Sequence, residues 1–289
     1  MKWAVISTWE MSKEGLKKAS VILARGGRAE EAVLAGVQDV ESNPQFHSVG
    51  YGGFPDRTGH VTMDAGFMDG DTMQFGAVCA LEGFASAAEV ACSLKGREFN
   101  NVLAGRGADE YARELGFRKQ NNLTAEALSL MDQEDSHDTV CFVALDQMGT
   151  ICVCTSTSGL KGKEPGRVGD TPMPGCGYYA VSEIGGAAAT GVGEDICKGV
   201  LSYQAVQLMK RRSVKEAAEQ AVDELVNLLQ VKGQAARDMS LIALDREGSF
   251  GIGTNVIFPF CYASSEDEPA LYEAESIQET VVIRRKGRV

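Results

Sequence analysis

The sequence lacks an apolar run long enough to span a bilayer or to form the core of an export signal. Its N-terminal stretch MKWAVISTWEMS is interrupted at Ser7, Thr8 and Glu10. The chain therefore reads as soluble and cytoplasmic, with no membrane partner. It also lacks any Lys/Arg cluster: 40 Asp and Glu face 28 Lys and Arg, for a net charge of −12. That balance argues against an electrostatic grip on a phosphate backbone, and so against nucleic acid as a partner. Eight cysteines are present, but none forms a C-x-x-C pair of the kind that holds zinc or runs dithiol chemistry. They sit mostly inside apolar segments, as buried reduced thiols do. No metal and no cofactor is expected. No internal repeat or low-complexity segment divides the chain, and its 289 residues fit one large α/β unit with a continuous core.

What is present is a regular alternation of apolar patterns. A strand is expected at Trp3 to Ser7, then a helix opened by Ser12 and stopped by Gly26-Gly27, and a second helix from Ala29 to about Glu41. Strands are expected at Val61 to Met68 and Met73 to Leu81, and helices at Ala85 to Leu94 and Gly107 to Leu115. The stretch from Gln120 to Asp138 is polar and acidic, weakly helical around Leu123 to Met131, and reads as an exposed connector. Beyond it, Val140 to Leu145 is unbroken apolar sequence, the signature of a strand covered on both faces, and Ile151 to Cys154 closes a hairpin with it. A second hairpin is expected from Ser240 to Leu244 and Phe250 to Thr254. Between the hairpins lie two helices, one after Gly193 and one opened by the capping-box pair Ser213 and Glu216.

The connector ends abruptly at His137-Asp138-Thr139, and a core strand begins on the next residue. A hydroxyl at the mouth of a buried strand is held rigidly while the peptide bond before it stays accessible. Were that bond cut, the new α-amine of Thr139, with a reference pKa of about 7.7–8.0, would lie beside its own hydroxyl. Nucleophile and general base would then come from one residue. Alone, the triplet reads equally as a strand cap after a solvated loop.

Further motifs follow: TSTSG (Thr155 to Gly159), PGRVGDTPMPGCG (Pro165 to Gly177) and AAATGVGED (Ala187 to Asp195). With HDTVCFVALD (His137 to Asp146), ISTWE (Ile6 to Glu10) and SVGYGGFPDRTGHVTMDAGFMDG (Ser48 to Gly70), they resemble the glycosylasparaginases, within the wider group of isoaspartyl peptidases and plant-type asparaginases. The likeness spans almost the whole chain. It implies a single-domain α/β fold, an αββα four-layer sandwich of the N-terminal-nucleophile hydrolase type. It implies a precursor cut between Asp138 and Thr139, giving an α chain of residues 1–138 and a β chain of 139–289, paired as a homodimer of cleaved protomers. The implied substrate is a small asparagine or aspartate derivative, first of all N4-(β-N-acetylglucosaminyl)-L-asparagine.

The same resemblance assigns roles. Thr139 is the nucleophile and Thr157 a threonine bonded near it. Thr190 and Gly191 form the oxyanion hole. Arg167 and Asp170 clamp the substrate's α-carboxylate and α-ammonium, a chemistry that suits a guanidinium and a carboxylate. Gly193 and Trp9 complete the pocket. An anion nest for phosphate at Gly191-Val192-Gly193-Glu194 is the competing reading of that segment, but it lacks the Lys-Ser/Thr of a P-loop.

Two positions depart from the pattern: Cys141, where the family keeps glycine, and Val192, where it keeps a small set of polar residues. Cys141 is two residues beyond Thr139 and is expected on the same strand face, close enough to crowd the site or simply to pack there. Two alternatives stand beside the leading reading: an isoaspartyl peptidase or asparaginase on the same machinery, and an uncleaved, non-catalytic binding protein.

Overall fold

The structure is a computed structural model that describes residues 2–131, 138–277 and 280–289. The end of the acidic connector, Gln133 to His137, lies outside them. In chain order the elements are β1 (Ala4–Thr8), a 3-10 turn (Glu10–Ser12), α1 (Lys13–Ala24), α2 (Ala29–Glu41), β2 (Thr62–Asp69), β3 (Phe75–Glu82), α3 (Ala87–Leu94), β4 (Val102–Ala104), α4 (Arg106–Glu114) and α5 (Ala125–Leu130). There follow β5 (Val140–Leu145), β6 (Ile151–Thr157), β7 (Tyr178–Val181), β8 (Gly185–Gly191), α6 (Gly193–Gly199), α7 (Leu201–Met209) and α8 (Val214–Val231). The chain closes with β9 (Met239–Asp245), β10 (Phe250–Thr254), β11 (Phe258–Ser264), β12 (Ala270–Ile277) and β13 (Thr280–Arg288).

The result is a mixed α/β fold with two sheets. Nine strands run β13-β12-β11-β1-β5-β6-β2-β3-β4, antiparallel except for the β3–β4 pair, and four run β10-β9-β8-β7. The apolar run of β5 is explained by its two faces. Val140, Phe142 and Ala144 join Leu16, Leu23, Val33 and Val37 of α1 and α2, whereas Cys141, Val143 and Leu145 meet Ile242, Leu244 and Ile252 of β9 and β10. The alternation follows the two-residue period of a strand. A third cluster sets Ala187 and Leu241 of the smaller sheet against Val222 and Leu225 of α8.

Local signals account for several boundaries. Ser213 and Glu216 close the capping box that starts α8, and Gly26, at φ +82°, takes the left-handed turn after α1. Ser12 does stand at the head of α1, but its side chain makes no cap bond; it donates instead to the Trp9 carbonyl at 2.8 Å. Three helices rather than two lie between the hairpins, because Val200, at φ +47°, breaks α6 from α7.

The strand with the weakest sequence signal is β8, GGAAATG, whose residues have low strand propensity. Packing explains them. A Cβ on Gly186 would lie 2.8 Å from the Ile151 Cγ2 and 2.9 Å from the Val143 Cγ1, so only a bare backbone admits the facing strands. Among the described residues no helix is long and apolar enough to cross a membrane.

Candidate active site

Thr139 sits one residue before β5 and is 3% exposed. Its backbone is fastened by Thr8 at the end of β1: the Thr8 hydroxyl donates to the Thr139 carbonyl at 2.7 Å and accepts the Cys141 N–H at 2.9 Å. Its hydroxyl lies 3.2 Å from that of Thr171. Extending the β5–β6 register, in which Val140 faces Ser156, by one residue places Thr157 opposite Thr139. The Thr157 hydroxyl donates to the Ser48 carbonyl at 3.3 Å and accepts the Gly159 N–H at 3.0 Å.

Thr190, near the end of β8, faces this row from the other sheet. Its hydroxyl oxygen accepts the backbone N–H of Thr139 at 3.1 Å and the indole N–H of Trp9 at 3.0 Å. With both lone pairs engaged, the Thr190 hydroxyl has only its own proton left to give. The indole is held firmly. Trp9 meets Phe258 edge to face at 5.0 Å, its backbone N–H donates to the Pro259 carbonyl at 2.9 Å, and it sits at φ +64°. A non-glycine residue there is strained by roughly 1–3 kcal/mol, so this tryptophan is placed by its surroundings rather than by its own preference. Gly191 follows at φ +129°, where a Cβ would come within 2.3 Å of the Asp238 carbonyl oxygen.

Asp170 is fully buried, and its Oδ2 has no hydrogen-bond partner. Burial pushes its pKa up to about 8, with Cys197 adding to the rise and Arg167 opposing it. Gly193, the first residue of α6, presses its bare Cα onto this carboxyl: a Cβ there would lie 2.6 Å from Oδ1. Arg167 does not stand open. It donates through Nε and Nη2 to both oxygens of Glu194, at 2.9 and 2.8 Å, and this bond holds the Glu194 carboxyl below its usual range.

Asp138 lines a cleft of about 260 Å³ together with Trp9, His47, Ser48 and Pro259. Cys141 does project from the same face as Thr139, yet it is fully buried and points its thiol at the Ala189 carbonyl, 3.4 Å away. Burial pushes that thiol far up, so it packs as a neutral group. All eight cysteines are free; Cys176 and Cys197 are half-buried and the others buried.

The structure thus gathers Thr139, Thr157, Thr190 and Trp9 at one end of the facing sheets, with Arg167, Asp170 and Gly193 joined through the start of α6. Thr8, Thr171 and Glu194 belong to the same network and were not singled out by sequence. Each sits inside a motif, beside a residue that was. Among the described residues no group of three or more His, Cys, Asp or Glu side chains is placed to hold a metal ion.

Comparison with known proteins places this arrangement. The profile of a family described as asparaginase matches residues 6–133 and 118–271. An N(4)-(β-N-acetylglucosaminyl)-L-asparaginase of Elizabethkingia miricola is 37% identical over 262 residues, covering 86% of this chain and 77% of the relative. A plant-type L-asparaginase of Pyrobaculum calidifontis is 34% identical over 261 residues, covering 84% and 85%. The matched stretches contain Trp9, Thr139, Arg167, Asp170 and Thr190 alike. A profile that runs through nearly the whole chain, and two relatives above 30% identity that it spans for most of their length, make this chain a member of the asparaginase family of N-terminal-nucleophile amidohydrolases.

Proposed function

We propose that Thr139 is the nucleophile of an amidohydrolase that cleaves the side-chain amide of N4-(β-N-acetylglucosaminyl)-L-asparagine, after the chain has cut itself between Asp138 and Thr139. The fold is read as four layers, αββα, from the three apolar clusters and the strands that share them. The observation that carries the functional reading is the Thr190 hydroxyl. Saturated by the N–H groups of Thr139 and Trp9, it has a proton to offer beside the reacting hydroxyl, as an oxyanion donor must.

In the first reaction the Thr139 hydroxyl attacks the carbonyl carbon of Asp138. The amide nitrogen leaves as the α-amine of Thr139, and water hydrolyses the resulting ester, separating residues 1–138 from 139–289. In the second, the same hydroxyl attacks the side-chain amide carbon of the substrate and passes its proton to the α-amine. Thr190 and the Gly191 N–H hold the oxyanion. Collapse expels the glycosylamine with that proton, and water frees aspartate from the acyl-enzyme. Arg167 takes the α-carboxylate and Asp170 the α-ammonium. The free Oδ2 of Asp170 and its high pKa suit a group that gains a cationic partner only on binding.

The relative from Pyrobaculum favours a second reading, hydrolysis of asparagine itself or of isoaspartyl peptides, which needs the same nucleophile and clamp but another leaving-group pocket. Denaturing electrophoresis with N-terminal sequencing tests the first step: two fragments, the second starting at Thr139, are expected in wild type and one band in Thr139→Ala. Parallel assays on the glycosylated asparagine, asparagine and an isoaspartyl dipeptide test the second. Turnover of the last two with none of the first would overturn the substrate assignment.

A further inference from the structure

Glu194 holds Arg167 by one edge only. Its oxygens take Nε and Nη2 in a side-on pair. Nη1 carries no hydrogen bond among the described residues and lies against backbone without side chains. A Cβ on Gly159 would come within 3.5 Å of it, and one on Gly169 within 3.0 Å. The end-on edge of the guanidinium, Nη1 with the second proton of Nη2, is therefore the one left to receive a small carboxylate.

Glu194 is in turn fixed from behind. It stands on the first turn of α6, beside Gly193, which rests on Asp170. The next residue, Asp195, takes Nε and Nη2 of Arg237, both at 2.9 Å, and Nζ of Lys198 at 2.8 Å. The segment Thr190 to Asp195 thus links the oxyanion donor, both arms of the clamp and an ion-pair anchor in six consecutive residues. An arginine without such a brace samples many rotamers, and binding must then order it.

We propose that Glu194 is a positioning residue, which turns the Arg167 guanidinium so that its end-on edge is presented to the α-carboxylate of the substrate. The proposal rests on the reading that Arg167 receives that carboxylate. Glu194 does not touch the substrate; it acts through Arg167.

The test compares the self-cleaved wild type with Glu194→Gln, Glu194→Asp and Arg167→Gln. Kinetics on an asparagine-type substrate are joined by competitive inhibition with L-aspartate and with its α-amide, which lacks the free carboxylate. Glu194→Gln is expected to raise KM and the inhibition constant of L-aspartate about tenfold, with kcat changed less than about threefold. Inhibition by the α-amide is expected to stay as in wild type, a split that a general loss of structure does not produce. Glu194→Asp, which keeps the charge on a shorter arm, is expected to show a smaller rise, and serves if the glutamine variant fails to fold. An unchanged KM in the variants that fold overturns the proposal. So does a lowered KM, which would make Glu194 a competitor for the guanidinium. If Arg167→Gln also leaves KM unchanged, the clamp itself is misassigned; if it alone raises KM, only the role of Glu194 fails.

Discussion

Replacing Asp170 by asparagine should abolish a pH dependence that the wild-type site is built to have. In the empty site this carboxyl titrates at about 8 rather than at its usual 3.8, because it is buried with Oδ2 unpartnered. A bound α-ammonium requires the ionised form. At pH 7 only about a tenth of the molecules are ionised and at pH 6 about a hundredth, and the apparent affinity is reduced by that fraction. The association constant for L-aspartate should therefore rise close to tenfold from pH 6 to pH 7 and flatten above pH 8, with roughly 0.9 proton released per ligand bound at pH 7.

Titration calorimetry in two buffers of different ionisation enthalpy measures both quantities. Asp170→Asn should bind more weakly, without the slope and without the proton. The linkage to stability has the opposite sense. The folded state keeps a proton up to about pH 8 that the unfolded chain gives up near 3.8, so this group's contribution to stability is lost as pH rises through that window. The asparagine variant should accordingly melt higher than wild type at pH 8 and alike at pH 4. Affinity for aspartate that is flat between pH 6 and 8, with no proton released, would refute the reasoning.

Other expectations are simpler. Trp9→Phe keeps the edge-to-face packing on Phe258 but removes the donor to Thr190; a lost hydrogen bond of about 1 kcal/mol corresponds to roughly fivefold in kcat, and unchanged turnover would show that the indole only fills space. Gly186→Val should destabilise by about 1–3 kcal/mol through overpacking against Ile151 and Val143, read as a lower urea midpoint. Ser213→Ala should cost about 1 kcal/mol by opening the capping box of α8, without touching activity.

The parts of the fold that were legible in the sequence are those with a local cause. Val140 to Leu145 was readable because each face of β5 meets its own apolar layer, and α8 because Ser213 and Glu216 bond to each other's backbone. The strand β8 was not, because what makes it a strand is a distant requirement for thinness rather than any preference of glycine or alanine. The site divides in the same way. The threonine after Asp138, the Arg167–Asp170 pair and the Thr190–Gly191 pair stood out through motif order. Thr8 joins Thr139 across 131 positions of sequence and Glu194 joins Arg167 across 27, and no local pattern marks a hydroxyl or a carboxylate for such a partner.

The fastening of Thr139 by Thr8 bears on what scission would do to the molecule. New chain ends ordinarily fray, and a reactive group on a fraying end spends little time in register with anything. Here the end would be created inside a sheet, with the carbonyl after it and the next-but-one N–H already tied to a neighbouring strand. The entropy of placing the nucleophile would have been settled when the precursor folded, before there was a free amine to place. Such a terminus would behave as an interior residue that happens to have nothing before it.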